Sequence, residues 1–317
     1  MTAATSPESI EGDPLVEAAT RAGLRHTSLD RPGITRERST TDWCFRNPDG
    51  TIVRDERVLD RIRAIVIPPA WRDVWINPDP RGHIQATGLD SRGRKQYRYH
   101  PQWRAYRDET KFAHLAAFGA ALPGIRDQVA CDLARHGFPR EKVLATIVRL
   151  LDTSLIRIGS REYERTNGSF GLTTLRNRHV AVVGSTIHFT FKGKGGIEHT
   201  VDLQDRRLAA IVKRMRELPG YHVFQYVDGD HRRHDVSSED VNGYLREISG
   251  EQFTAKDFRT WAGTVRFVAD VRDEPTPPSA TEASRRVVAA IRCVSAALGN
   301  TPAVCRASYI HPAVIEA

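Results

Sequence analysis

Apolar and polar positions alternate in short runs over the first third of the chain and recur at helical spacing over most of the rest. Residues 1–33 are polar and weakly patterned, which predicts a tail carrying one short helix at 14–22. Residues 34–105 are predicted to form a small β-rich domain, with its first ordered stretch near Ser39. There, Trp43, Phe45, Ile52 and Val53 flank Asn47-Pro48-Asp49-Gly50, a turn signal between two strand-like runs. Residues 58–67 read as a helix stopped by Pro68-Pro69, and 74–76, 83–87 and 96–99 read as strands broken by Pro78, Pro80, Gly82 and Gly93. From Pro101 the period changes, with Trp103, Tyr106, Phe112, Leu115, Ala116 and Phe118 at three- and four-residue steps. A larger, mainly α domain is therefore predicted over 106–317, with helices at 123–136, 141–152, 206–218, 237–249, 254–271 and 281–298. Within it, 179–203 alternates like three strands joined at Gly184 and at Gly193-Lys194-Gly195-Gly196, and 273–279, with Pro275, Pro277 and Pro278, reads as a linker. The expected class is α+β.

A length of 317 residues accommodates two such domains, and 40% hydrophobic with 27% charged residues excludes collagen-like, coiled-coil and wholly disordered chains. The balance of 47 Lys and Arg against 39 Asp and Glu, net +8, favours a polyanionic partner. No apolar run reaches the roughly 18–20 residues that cross a bilayer. The start of the chain, with Glu8, Glu11 and Asp13, lacks the basic and apolar regions of a signal peptide, so a cytoplasmic protein is expected. Cys44, Cys131, Cys293 and Cys305 are too scattered for a CxxC pair and read as plain thiols. His231 and His234 have no acid or cysteine at a supporting ligand spacing, so they read as solvated loop residues, and no catalytic metal is expected.

The candidate chemistry begins at residues 89–107, where Arg92, Arg94, Lys95, Arg98, Arg104 and Arg107 interleave with Tyr97, Tyr99, Trp103 and Tyr106 around one acid, Asp90. Such a mixture suits phosphates and bases, the alternative being a solvated strand with its aromatics packed inward. Arg157 lies among apolar neighbours with no carboxylate three or four residues away, so its guanidinium needs an anion from elsewhere, either a distant structural acid or a ligand. Arg259 poses the same question on a helix that Thr254 and Asp257 would cap, with Lys256 on the same face. Lys194 sits at a Gly-flanked hairpin tip, which suits close approach to a ligand but also simple solubility. Tyr309 would be presented by a short helix starting at Thr301-Pro302, as a packing residue or as a nucleophile.

The order of five motifs narrows these alternatives. Leu155-Ile156-Arg157-Ile158-Gly159, Ser169-Phe170-Gly171-Leu172-Thr173-Thr174-Leu175, Lys192-Gly193-Lys194, Lys256-Asp257-Phe258-Arg259-Thr260, and Gly299-Asn300-Thr301-Pro302 with Tyr309 together resemble the poxvirus-like bacterial type IB DNA topoisomerases. Gly93-Arg94-Lys95-Gln96-Tyr97-Arg98-Tyr99 is similar to that family's DNA-contacting segment. The resemblance runs from about residue 40 to the C-terminus. It implies a catalytic domain of the tyrosine recombinase and type IB topoisomerase fold and a β-rich clamp domain around duplex DNA. It also implies a monomer that relaxes supercoils of both signs through a 3′-phosphotyrosine, without a cofactor, on the nucleoid. By the same resemblance Tyr309 is the nucleophile, Arg157 and Arg259 are phosphate clamps, Lys194 is the general acid and Asn300 is a phosphate-oxygen donor where viral relatives carry His. Arg94, Gln96, Tyr97 and Tyr99 contact DNA. A tyrosine recombinase, which has His where this chain has Lys256, and a non-catalytic DNA-binding module are the rival readings.

Overall fold

The computed structural model describes residues 14–38, 42–272 and 275–316, and the chain divides into two compact units between Lys111 and Phe112. In chain order the first unit contains α1 (Pro14–Arg21), β1 (Ile34–Arg38), β2 (Trp43–Arg46), α2 (Glu56–Ile65), β3 (Arg72–Ile76), β4 (Ile84–Leu89) and β5 (Lys95–Tyr99). Its strands form one five-stranded sheet in the order β2-β1-β3-β4-β5, which leaves β5 at an edge. Ile34, Val53, Ile62, Val74, Ile76 and Ala86 make its core. The turn at 47–50 forms as its sequence predicts, Asn47 N–H donating to the Thr51 carbonyl at 2.8 Å. Its two flanks do not make a hairpin ladder, however. β2 pairs along its length with β1, while Ile52 contributes a single bridge to Arg46.

Two further expectations for this unit change. Residues 14–33 were expected within a tail, yet Ala19 and Leu24 are buried with Trp103, Arg25 pairs with Asp79 at 3.0 Å, and Thr27 N–H donates to His83 Nδ1 at 3.0 Å. The short helix forms where the sequence predicts it, but the partners that dock this segment come from distant residues, which no local pattern shows. Ser39 lies outside the described residues, and regular structure begins before it, at β1.

α3 (Pro101–Leu133) spans the division as one helix that contains Pro123, where the sequence predicts a new helix. Proline removes one backbone donor and crowds the preceding turn. Here Phe118, Leu122, Ile125, Val129 and Leu133 all enter the main core of the second unit and hold the helix through it. That unit continues with α4 (Arg140–Ser154), α5 (Arg161–Asn167), β6 (Val180–Val183), β7 (Thr186–Lys192), β8 (Glu198–Gln204), α6 (Arg206–Arg216), β9 (Gln225–Val227), β10 (Arg233–Asp235), α7 (Ser238–Ser249), α8 (Ala255–Arg272), α9 (Ala280–Leu298), α10 (Pro302–Tyr309) and α11 (Ala313–Glu316). α4 is buried on nearly every face, from Lys142 to Leu151, as befits a central helix. The alternation at 179–203 becomes the antiparallel sheet β6-β7-β8, with Ile187, Phe189 and Phe191 turned inward.

A second core, made of Leu155, Phe267, Ala290, Ile291, Val294, Leu298, Cys305 and Ile310, ties the end of α4 to α8, α9 and α10. Cys305 is buried in it and, like the other three cysteines, is a free thiol. His234 is not in a loop. It lies on β10, with Nε2 2.6 Å from Asp228 Oδ2 and its ring stacked on Tyr226, while His231 occupies the exposed turn before that strand. The start of the expected linker, 273–274, is outside the described residues, and Ser279 then caps α9 by accepting from Glu282 N–H at 3.2 Å. Among the described residues, no single helix is long and apolar enough to cross a membrane.

Candidate active site

Leu155 closes α4 in the left-handed conformation, φ 57°, at a cost of order 1 kcal/mol for a non-glycine residue. Its carbonyl accepts from Nη1 of Arg259. Arg157 follows on an extended segment held by the next motif, Leu172 N–H donating to the Arg157 carbonyl at 2.9 Å and Thr173 N–H to the Ile158 carbonyl at 2.8 Å. The Ser169–Leu175 sequence therefore sets the backbone that aims Arg157. Its Nη2 donates to the Gly299 carbonyl at 3.3 Å and to Oδ1 of Asn300.

That second bond fixes the Asn300 amide. A guanidinium only donates, so the amide oxygen must face Arg157, and the amide nitrogen Nδ2 is left as a buried donor with no partner among the described residues. Asn300 itself is placed by the turn after α9, its N–H donating to the Ser295 carbonyl at 2.9 Å.

Arg259, on α8, is 4% exposed. Nη2 donates to the Leu298 carbonyl at 2.6 Å, and Nε is buried without a partner among the described residues. Burial, reinforced by the charge of Arg157, pushes its pKa down to about 10, which leaves it cationic at neutral pH. Neither arginine meets a carboxylate among the described residues. Both are steered by carbonyl oxygens, which orient a guanidinium without neutralising it.

Tyr309 ends α10, whose first turn is capped by Thr301 accepting from Val304 N–H at 3.3 Å, with Pro302 at the first helical position. Arg259 and Gly263 lie one turn apart on α8, and a Cβ on Gly263 would come within 2.4 Å of the Tyr309 carbonyl oxygen. Glycine there lets α8 approach closely enough to hold the Tyr309 backbone. The Arg259 guanidinium carbon lies 5.1 Å from the centre of the Tyr309 ring. Burial opposes ionisation of the phenol, but the charge of Arg259 and its hydrogen bond, with the charges of Arg157 and Lys256, outweigh it and hold the pKa below the ordinary tyrosine value.

Lys194 is exposed at the β7–β8 tip, where Gly193 N–H donates to the Ile197 carbonyl at 2.7 Å. It lines one cavity of about 380 Å³ together with Arg157, Arg259, His199 and Gly299. Arg157, Arg259, Asn300 and Tyr309 thus form one contiguous cluster, and Lys194 lines the same cavity as the two arginines. Among the described residues no three His, Cys, Asp or Glu side chains gather as metal ligands. Sequence reasoning passed over His199. Its place beside the cavity depends on glycines from two separate segments, so no local pattern marks it.

The four β5-region residues lie in the first unit and separate into two kinds. Tyr97 and Tyr99 are exposed and stack on each other at 5.9 Å, sharing the outward face with Lys95. Arg94 and Gln96 are tied down, Nη2 of Arg94 lying 2.7 Å from Asp90 Oδ2 and Nε2 of Gln96 3.0 Å from the same oxygen. The hydrogen bond from Arg94 is the main cause that pushes Asp90 down to about 2.

Residues 100–317 match the family described as eukaryotic DNA topoisomerase I, catalytic core, and residues 42–90 match the bacterial DNA topoisomerase IB N-terminal domain. Over 291 residues the chain is 30% identical to DNA topoisomerase 1B of Acanthamoeba polyphaga mimivirus, covering 90% of this chain and 87% of that one. To DNA topoisomerase 1B of vaccinia virus (strain Copenhagen) it is 21% identical over 285 residues, 87% of this chain and 86% of the other. Among solved structures, a XerH site-specific recombinase bound to palindromic difH substrate aligns over 60% of this chain and 47% of its own with 13% identity and a TM-score of 0.38.

Proposed function

The chain belongs to the type IB DNA topoisomerase family, and from that premise we propose that it relaxes positive and negative supercoils by cutting one strand of duplex DNA through Tyr309 and resealing it. The observation that carries this reading is a tyrosine of lowered pKa beside two guanidiniums that, among the described residues, have no carboxylate to neutralise them. A phosphodiester is the anion such a pair fits, because planar guanidiniums offer several donors to non-bridging oxygens.

In the forward step Tyr309 Oη attacks phosphorus and gives up its proton to solvent, the bond from phosphorus to the 5′ oxygen breaks, and Lys194 protonates that oxygen as it leaves. Arginine, effectively never deprotonated, would serve poorly as this acid. Arg157, Arg259 and the free Nδ2 of Asn300 stabilise charge on the equatorial oxygens of the transition state. The 3′-phosphotyrosine stores the energy of the bond, so the 5′ hydroxyl can attack back and restore the strand without a nucleotide. Between the two steps the free end swivels about the intact strand. We further propose that the enzyme acts as a monomer on the nucleoid. A suicide duplex labelled at the 5′ end of the cut strand tests the chemistry: the label should stay with the protein on a denaturing gel, and a label that stays only when placed at the 3′ end would refute the assignment.

Asn300 gives a finer test. Asn300→Ala should slow single-turnover cleavage by about tenfold, the worth of one donor to a charged oxygen. Asn300→Asp should be worse than Ala, because a carboxylate only accepts, binds Arg157 and repels the phosphate. Equal rates for Ala and Asp would remove Asn300 from the phosphate.

For the clamp, Tyr97→Ala and Tyr99→Ala should weaken DNA binding while leaving religation of preformed adduct at its normal rate. Lys95→Ala should flatten the slope of log affinity against log salt by about one unit. Arg94, whose charge Asp90 offsets, should contribute less to that slope and more to holding the β4–β5 turn, with Gln96, in place. Filter binding across a salt series reads both effects, and a normal slope for Lys95→Ala would move the DNA surface off this strand.

A further inference from the structure

One half-buried side chain that lines the cavity has no part in the chemistry above. His199 lies on β8, its ring stacked on Phe191 with centroids 5.4 Å apart and planes 16° apart. Two edges of that ring face glycines from different parts of the chain. A Cβ on Gly193 would lie 2.4 Å from its Cδ2, and a Cβ on Gly299 would lie 2.3 Å from its Cε1. Gly299 also closes α9 in the left-handed region, φ 59°, which by itself favours glycine. Gly193 has no such need. Its φ of −92° and ψ of −164° suit any residue, so what its missing side chain provides is room for the imidazole.

The neighbours of these two glycines are Lys194 and Asn300. A single flat ring therefore separates, and sets the spacing of, the backbone that carries the proton donor and the backbone that carries the phosphate donor. The ring cannot slide away, since Phe191 covers its face and Gly299 closes the side opposite Gly193. Nε2 is buried with no hydrogen-bond partner among the described residues. Burial, then the charges of Arg157 and Arg259, hold the imidazole below its ordinary pKa, so it is neutral at neutral pH and adds no charge to the phosphate site. A neutral ring wedged between backbones, with an unused nitrogen, is placed for its shape.

We propose that His199 is a positioning residue, which holds the β7–β8 tip at the distance from the Gly299–Asn300 turn that brings Lys194 to the leaving 5′ oxygen. The inference rests on the proposed role of Lys194 as proton donor. Without the ring the tip loses its stop, and a displacement of about 1 Å in a reacting group costs on the order of 10²-fold. DNA binding and the attack by Tyr309 depend on other residues and should persist.

The test compares single-turnover cleavage by the full-length protein on two duplexes that differ only in the 5′ bridging atom, oxygen or sulfur, because a thiolate leaves without a proton. His199→Ala should cut about 10- to 100-fold more slowly on the oxygen duplex and within about threefold of the parent rate on the sulfur duplex, with unchanged affinity. Gly193→Ala approaches the same gap from the other side, removes no core contact, and should show the same selective loss. In the double variant the added methyl meets no ring, so the loss should equal that of His199→Ala alone. Equal slowing of both duplexes by His199→Ala, or losses that add in the double variant, would overturn the inference. Parent protein and Lys194→Ala are run beside them. A parent that forms no adduct sinks the topoisomerase reading, and an unselective Lys194→Ala sinks the proton donor, and His199 falls with either. A selective Lys194→Ala with an unselective His199→Ala sinks His199 alone.

Discussion

Tyr309→Phe is expected to remove covalent attachment and plasmid relaxation together, a loss on the order of 10⁵-fold or more, while duplex binding stays near that of the parent. In the proposed mechanism only the phenolic oxygen forms the bond to phosphorus. The ring face against which the Arg259 guanidinium lies at 5.1 Å survives the change, as does the backbone contact from Thr264, whose hydroxyl meets the Tyr309 carbonyl at 3.4 Å. The variant forfeits the hydrogen bond between the phenol and Arg259, worth about 1 kcal/mol net, so its melting temperature should fall by a few degrees at most. Denaturing gels and filter binding on the same preparation separate the two properties. A residual 3′ adduct in the Phe variant would mean that another residue attacks.

Lys194→Ala is the second large effect. On ordinary DNA cleavage should slow by about 10²- to 10⁴-fold, the range of general acid catalysis. With sulfur at the 5′ bridging position most of that loss should vanish. Lys194 is exposed on its hairpin tip and makes no core contact, so the fold should not register its removal. Equal losses on the two substrates would make Lys194 a phosphate ligand rather than an acid.

How far the sequence announces this architecture depends on how local each cause is. The β6-β7-β8 sheet is legible because Ile187, Phe189 and Phe191 alternate strictly with polar neighbours and each joint carries glycine. Helix α8 is legible from its cap, Thr254 N–H and hydroxyl both bonding the Asp257 carboxylate. α3 is not, because Pro123 signals a break locally and the core contacts of Phe118 and Ile125 that override it are tertiary. The short helix at 14–21 is legible, but the docking of 14–33 is not, for a related reason: it rests on Trp103, Asp79 and His83 far along the chain.

The site divides the same way. Arg157 and Arg259 stand out as cations without local acids, and the order of the motifs ties them to Lys194, Asn300 and Tyr309. What orients them is invisible in the sequence, namely the left-handed Leu155 and the carbonyls of Leu298 and Gly299. A carbonyl has no residue type to recognise. The split on β5 between the outward Tyr97 and Tyr99 and the Asp90-bound Arg94 and Gln96 likewise needs the register of an edge strand.

In the proposed mechanism torque is released through a protein-linked nick whose charge is managed by Arg157, Arg259, Asn300 and Lys194. Its most direct test is relaxation of plasmid by substoichiometric protein in EDTA without ATP, run in parallel on positively and negatively supercoiled DNA. Swivelling about an intact strand is driven downhill by either sign of torque, so both substrates should relax to the same final distribution of topoisomers. Relaxation of one sign only, or a strict need for Mg²⁺ or ATP, would contradict the account.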